Sequence, residues 1–316
     1  MTESSIGQYA AKPHQIPWAG WKSILLRTYE KISRTDTSLR CAGAAFFTFL
    51  SIFPILACMV LVYGIVASPA SLVSQLEPLR QFLPASVYDV IMERLQTLLA
   101  RPETGLGIGL LVSFAIALWS GSRGTNALVA TVNEAYREAD ERGFIASAGL
   151  SISMTLVAII FVIIALFAIA AIPVLVDAMP FPTLFETLAV WLRWPLLGVL
   201  VTGLLGALYK VGPDREDAKW RWLTPGAAIA CVLWLLLSGL FSFYVQSFGN
   251  FDATFGSLSV AVVMMLWLYY STLIVALGAT LNAELEHQTR RDTTDGPEKP
   301  MGERGAYVAD RSAAQS

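Results

Sequence analysis

Residues 41–76 read CAGAAFFTFLSIFPILACMVLVYGIVASPASLVSQL, without one charged side chain. About 20 apolar residues, rising 1.5 Å each, cross the roughly 30 Å hydrocarbon layer of a bilayer. The stretch therefore reads as a membrane-spanning helix over roughly Ala42–Val66. Outward from it, five more apolar blocks follow. The second covers roughly Gly105–Thr125, with Arg123 near its end. The third lies within Gly143–Val176, long enough to tilt or to bend at Pro173. The fourth, near Thr187–Tyr209, is interrupted at its start by Arg193 and Pro195. The fifth is roughly Pro225–Gln246, with Pro225 suited to a first helical turn. The sixth is roughly Ser257–Ala279, extending towards Asn282. The expected fold is all-α: a polytopic membrane helix bundle with six transmembrane helices.

Composition agrees. Of 316 residues, 55% are hydrophobic and 15% charged, against about 25% charged in a typical soluble domain. The net charge of −2 says little, because the distribution of charge matters more than its sum. Cys41, Cys58 and Cys231 all fall in apolar stretches, without metal-ligand spacing or a disulfide framework. Some 40 polar residues precede the first block, so that block reads as an internal start-transfer helix rather than a cleavable signal.

Lys and Arg set the expected orientation. Eighteen of them lie in the N-terminal segment, between spans two and three, between spans four and five, and in the tail; four (Arg80, Arg94, Arg101 and Arg193) lie on the other side. Short loops rich in Lys/Arg stay in the cytoplasm. Both termini are therefore expected there, as an even number of spans requires.

The flanks carry their own signals. Residues 1–40 are a cytoplasmic segment, polar and mobile over 1–15. Then Trp18, Trp21, Leu25, Tyr29 and Ile32 recur at helical spacing, with Lys22, Arg27, Lys31 and Arg34 mostly elsewhere on the wheel. This amphipathic helix suits the headgroup region, or equally the protein's own cytoplasmic side. In the segment 68–104, Leu72, Leu76, Leu79 and Leu83, then Val87, Val90, Ile91, Leu95 and Leu98, predict two amphipathic helices separated by Pro84, a cap on the outer side. The membrane domain spans 41–285. Residues 286–316, rich in Thr, Asp, Gly, Ala and Ser, predict a disordered cytoplasmic tail.

Four pieces occur in order. They are Ala44-Ala45-Phe46-Phe47-Thr48-Phe49-Leu50-Ser51-Ile52-Phe53-Pro54; Leu118-Trp119-Ser120-Gly121-Ser122-Arg123-Gly124 running on to Val132-Asn133-Glu134-Ala135-Tyr136; Leu208-Tyr209-Lys210 with Gly212-Pro213-Asp214 and Trp222-Leu223-Thr224-Pro225-Gly226-Ala227; and Phe255-Gly256-Ser257-Leu258 leading to Asn282-Ala283-Glu284. The ordered set resembles the YihY/virulence factor BrkB family over about residues 20–285. The resemblance implies a six-span protein of the bacterial inner (plasma) membrane with an unsettled biochemical role. Some members carry the label ribonuclease BN, some are linked to resistance to serum killing, and transport has been suggested on architecture alone.

Polar groups inside hydrocarbon are costly unless partnered, so they mark candidate sites. Thr48 and Ser51 precede Pro54, which removes one backbone donor. They line a polar notch or bond back to their own helix. Ser120, Ser122, Arg123 and Asn126 form a cluster in which the guanidinium suits an anionic headgroup or a substrate phosphate, or else snorkels to the interface. Asn133 follows at the next turns. Asn282 and Glu284 close span six. Glu284 is a proton-relay or Arg123-pairing candidate and otherwise an ordinary solvated charge. No residue is read as catalytic or metal-binding, and no cofactor is expected. His14 and His287 lie near opposite ends of the sequence, and no Gly-rich phosphate loop occurs. Expected partners are membrane lipids and an anionic small molecule or headgroup, not nucleic acid. Two functions stay open: a transporter-like permease, exporter or lipid-handling protein with unknown substrate, or a structural or assembly protein of the cell envelope. A membrane-bound ribonuclease is the remote third.

Overall fold

The computed structural model describes residues 7–66, 88–89, 92–93, 106–177, 183–247 and 258–313. Eight α-helices are found among the described residues: α1 (Trp18–Ile32), α2 (Thr35–Val66), α3 (Leu106–Tyr136), α4 (Phe144–Asp177), α5 (Thr183–Val211), α6 (Trp220–Ser247), α7 (Leu258–Gln288) and α8 (Tyr307–Asp310). Among those residues no strand forms, and only a single antiparallel bridge joins Ala218 to Thr294. The all-helical expectation holds. The segment expected to cap the bundle, 68–104, lies outside the described residues apart from short helical pieces at 88–89 and 92–93.

The helices outrun the apolar blocks that predict them. α2 begins at Thr35, seven residues before Ala42, and α3 runs eleven residues past Thr125. A helix need not stop where its hydrophobicity stops, because the backbone ladder continues wherever side chains find partners. Among the described residues three stretches are long and apolar enough to cross a membrane: Phe144–Val162, Trp220–Tyr244 and Ala261–Gln288. A shorter apolar helical stretch covers Pro195–Val211.

Contacts between neighbours give their directions. On α2 and α3, Ala44 and Thr48 face Gly124 while Ser51 faces Gly121, so the pair is antiparallel. On α3 and α4, Asn126 reaches Ser147 and Ser151 while Thr125 reaches Thr155, again antiparallel. On α6 and α7, Leu223 meets Asn282 and Trp234 meets Ser271, with the same result. On α5 and α6, Gly206 lies under Trp220 and Gly198 under Cys231. α7 is the hub, packing on α6, α2, α1 and α3.

The deepest core sits at one end. Val132, Ala135 and Tyr136 of α3 meet Tyr209 of α5, Leu223 and Ala227 of α6, Ala279 and Ala283 of α7, and Val308 of α8. Beside it, Ile16, Ile24, Trp222, Leu281 and Leu285 bury α1 against α7. Along the rest of the bundle large apolar side chains face outward, including Leu111, Val199, Leu240 and Phe243. An aqueous surface does not sustain such a belt. Hydrocarbon does.

Two expectations about the flanks are corrected. Residues 7–17 are not mobile: Gln8, Ala10 and Ile16 are buried, and Pro13–Gln15 form a 3₁₀ turn. Residues 289–313 are not a disordered tail. Arg290 N donates to Gln8 O at 2.7 Å, Lys219 N to Thr293 O at 2.9 Å, Asp295 N to Asp217 O at 2.7 Å, and Ala313 N to His287 O at 2.9 Å. The composition is polar, as expected, but many of those polar groups, Thr289, Asp292, Thr293 and Thr294 among them, are buried against protein partners.

Candidate functional site

The polar groups named from the sequence divide into three settings. The first is a hydroxyl stripe between α2, α3 and α4. Ser51 is buried and donates to Thr48 O at 2.7 Å, and Ser122 donates to Trp119 O at 2.8 Å. These bonds return to the helix's own backbone. Ser120 donates across to Phe47 O at 3.4 Å. Gly121 and Gly124 allow this approach, since a Cβ at Gly124 would press on Thr48 Oγ1 and one at Gly121 on Thr155 Cγ2. Pro54 lies in α2, and its side chain lies outside the described residues.

The second setting is Arg123. Its side chain is exposed, with the guanidinium 5.8 Å from the ring centroid of Trp119, itself exposed. Among the described residues it has no carboxylate partner, and the expected pairing with Glu284 is not made. Ten residues separate Arg123 from Asn133 at the charged end, about 15 Å along the helix. Around it Leu111, Phe114 and Ile116 also face outward. Asn126, one residue past the Gly124–Thr125 step, is exposed near Ser147 and Ser151 at 3.4 Å each.

The third setting is the charged end, where sequence reading missed most of the chemistry. Glu284 is fully buried rather than solvated. It accepts from Arg27 Nε at 2.5 Å and pairs with Lys31 Nζ at 2.7 Å, both from α1. Arg137 Nη2 stands 3.8 Å away, and His287 Nδ1 3.7 Å. Burial pushes the Lys31 ammonium below the usual lysine range, against the pull of Glu284, and Arg137 and Arg27 push the same way. Two residues on, Glu286 is also fully buried. It binds Arg215 Nη2 through both oxygens at 3.0 and 2.9 Å and accepts from Thr293 Oγ1 at 2.8 Å. Arg215 lies 4.4 Å over the Tyr136 ring. The missed signal was periodicity: Arg27 and Lys31 are one turn apart on α1, and so share a face with buried Ile24 and Thr28. The aromatic stripe is split instead: Trp18 and Tyr29 face out, 76% and 74% exposed, while Trp21 packs against the buried cluster of Ile24 and Trp222.

Asn133 and Asn282 belong to this end. Asn133 Oδ1 accepts from Asp214 N at 2.8 Å, and Asp214 in turn pairs with Arg142 at 3.1 Å. Asn282 docks on the first turns of α6. Its Oδ1 accepts from Gly226 N and its Nδ2 donates to Leu223 O, at 2.7 and 2.8 Å. The side-chain amide thereby ties α7 to the backbone of α6 through one donor and one acceptor. An open cleft of about 950 Å³ borders this network at Arg137, Asp214 and Arg215, between the α3–α4 loop, the α5–α6 loop and the tail. Its carboxylates are largely paired: Asp214 with Arg142, Glu216 with Lys299, and Asp295 with Lys210. A second, purely apolar groove of about 380 Å³ runs between α2 and α7, lined by Ala42, Ala45, Met265 and Tyr269 among others. Among the described residues no group of three His, Cys, Asp or Glu side chains is arranged to hold a metal.

Comparison with known proteins follows the same lines. The family described as Virulence factor BrkB matches residues 28–302. The ribonuclease-like protein YfkH of Bacillus subtilis (strain 168) is 31% identical over 287 residues, 87% of this chain and 99% of that protein. A UPF0761 membrane protein of Psychromonas ingrahamii is 28% identical over 272 residues, 83% of this chain and 87% of its own. Another UPF0761 membrane protein, from Idiomarina loihiensis, is 38% identical over 79 residues, 25% of this chain and 28% of its own length. No solved structure matches. A helical bundle with an outward apolar belt, matched to this family over most of its length, is a membrane protein, and the chain belongs to the Virulence factor BrkB family.

Proposed function

We propose that this is a transporter-like, lipid-handling protein of the bacterial inner membrane, with six spans and both termini in the cytoplasm, in which Arg123 engages an anionic headgroup or small anion. Six helices of 28–34 residues, α2 to α7, support the span count. The contacts of Arg27, Lys31, Arg137, Arg142, Lys210 and Arg215 gather basic residues at the end that also holds both terminal segments. Basic segments stay on the cytoplasmic side, which supports the orientation.

The observation that carries the functional reading is the exposed Arg123 guanidinium over Trp119, without a carboxylate among the described residues, on an outward face that carries Ile116 and Trp119 on one side and Asn126 on the other. In helices, side chains lean towards the N-terminus, and here that direction leads away from the charged end. A cation held so is costly in hydrocarbon and marks a site by default. The apolar groove between α2 and α7 offers acyl-chain space elsewhere on the same bundle. In reconstituted vesicles, the wild type is expected to move anionic lipid or small anions across the bilayer. Arg123→Ala should lose that flux and Arg123→Lys retain part of it. Flux unchanged by Arg123→Ala would remove the reading.

A second reading has its own support. Ser51, Ser120 and Asn282 are buried in helix contacts rather than facing a passage. A bundle packed this way suits an assembly protein of the envelope without a conduit. Cysteine accessibility scanning along 105–125, from both sides, separates the two: labelling confined to the cytoplasmic end favours assembly. The name of the Bacillus relative raises a ribonuclease reading. That reading requires the purified protein to cleave RNA, and the proposal expects no cleavage and no cofactor.

A further inference from the structure

The charge around Glu284 does not balance. Arg27, Lys31 and Arg137 all stand within 3.8 Å of this single carboxylate, which leaves a surplus of two positive charges. Of the neighbouring carboxylates, Glu134 pairs with Arg40 at 2.8 Å and Glu286 with Arg215, while Glu138 accepts from Tyr307 N at 2.7 Å. Glu30 is exposed on α1 and makes no ion pair among the described residues. The polar groups behind Glu284 are also incomplete. His287 is buried, and neither ring nitrogen has a hydrogen-bond partner among the described residues, although Nδ1 points at the cluster from 3.7 Å.

Access differs between the two signs of charge. The Glu284 side chain is fully buried, whereas those of Arg27, Lys31 and Arg137 keep 27%, 18% and 33% of their surface exposed. An anion arriving from outside therefore meets the cations first. The three come from two elements that hold them apart: Arg27 and Lys31 one turn apart on α1, and Arg137 just past α3 at φ 59°, a left-handed conformation unusual for a side-chain-bearing residue. Tyr307, whose ring lies 5.7 Å from the Arg137 guanidinium, steadies it from the tail. The outward face of α1 beside them carries Trp18, Leu25 and Tyr29, residue types suited to headgroup depth.

We propose that Arg27, Lys31 and Arg137 form a binding site for a phosphate-type anion, delivered either as a phospholipid headgroup or as free phosphate. Several oxygens and one to two negative charges match the surplus and the divergent donors, and guanidinium forks bind such oxyanions with paired hydrogen bonds. The site is separate from Arg123 and does not depend on lipid or anion movement.

The test uses the full chain with Arg123→Ala, so that only this site is read. In non-ionic detergent, equilibrium dialysis measures binding of inorganic phosphate. In nanodiscs, native mass spectrometry measures retention of phosphatidylglycerol against phosphatidylcholine. Saturable phosphate binding, or selective retention of phosphatidylglycerol, is expected, and which arm responds identifies the source. Lys31→Gln should weaken binding roughly tenfold, as loss of one charge-assisted contact does. Glu284→Gln, which enlarges the surplus, should tighten it. Should Lys31→Gln fail to fold, Arg137→Gln at the exposed rim takes its place. Absence of binding in both arms overturns the proposal, as does binding that neither Lys31→Gln nor Arg137→Gln changes.

Discussion

Asn282 shows how much one side chain holds. It bonds to Gly226 N and Leu223 O in the first turns of α6, and none of its surface is exposed. Asn282→Ala removes two buried hydrogen bonds between α7 and α6, at about 0.5–1.5 kcal/mol each. The melting temperature in detergent, followed by tryptophan fluorescence, should fall accordingly. Gly278 is under a related constraint. A Cβ there would overlap Tyr209 Oη, Gly226 O and Ala230 Cβ. Gly278→Ala should cost about 1–3 kcal/mol by overpacking in the same assay. Glu286→Gln is expected to be worse, because it leaves Arg215 buried without its counter-charge; breaking such a pair costs about 3–5 kcal/mol. These costs were hidden in the sequence. Asn, Gly and Glu at helix ends are common, and only the facing helix turns them into a lock.

At the scale of elements, the tail behaves as a strap. Asp292 organises it: its oxygens accept from Thr294 N and Oγ1 at 2.9 and 2.7 Å and from Lys299 N at 2.9 Å. Burial works to raise its pKa, but the Lys299 and Thr294 donors, with Arg304 alongside, hold it below the ordinary 3.8. A carboxyl with a lowered folded-state pKa contributes stability above its unfolded value, and that stability is lost as pH falls through the lowered value. Tail amides from 292 to 304 should therefore exchange faster below pH 3.8, and Asp292→Asn should remove most of that dependence. Truncation after Gln288, which removes Thr293 and Val308, should expose Glu286 to solvent, read as faster exchange at the end of α7 with little change near Thr155. α1 was legible as amphipathic, but which stripe faces inward was not. Hydrophobicity alone favours burying Trp18 and Tyr29. The buried carboxylate on α7 draws the Arg27–Lys31 face instead.

For the whole molecule, the prediction concerns sidedness. In a background lacking Cys41, Cys58 and Cys231, the substitution Glu216→Cys in the α5–α6 loop should react only with reagent admitted to the cytoplasm. Thr104→Cys, just ahead of the second apolar block, should react only from outside. Reversal of both would overturn the orientation while leaving the helix packing intact.

The sequence alone determined the solvent in which this chain folds, its helical class, its family and the positions of most long helices. The family follows from the ordered motifs of the four pieces, and the rest from unbroken apolar runs, which act through local composition and need no partner. Only the tertiary structure decided the fate of the polar residues. Ser51 and Asn282 went into helix contacts, Arg123 stayed outside, and Glu284 gathered cations from segments more than a hundred residues away in the chain. The physical reason is that the cost of a polar group depends on what faces it, and what faces it here comes from another helix.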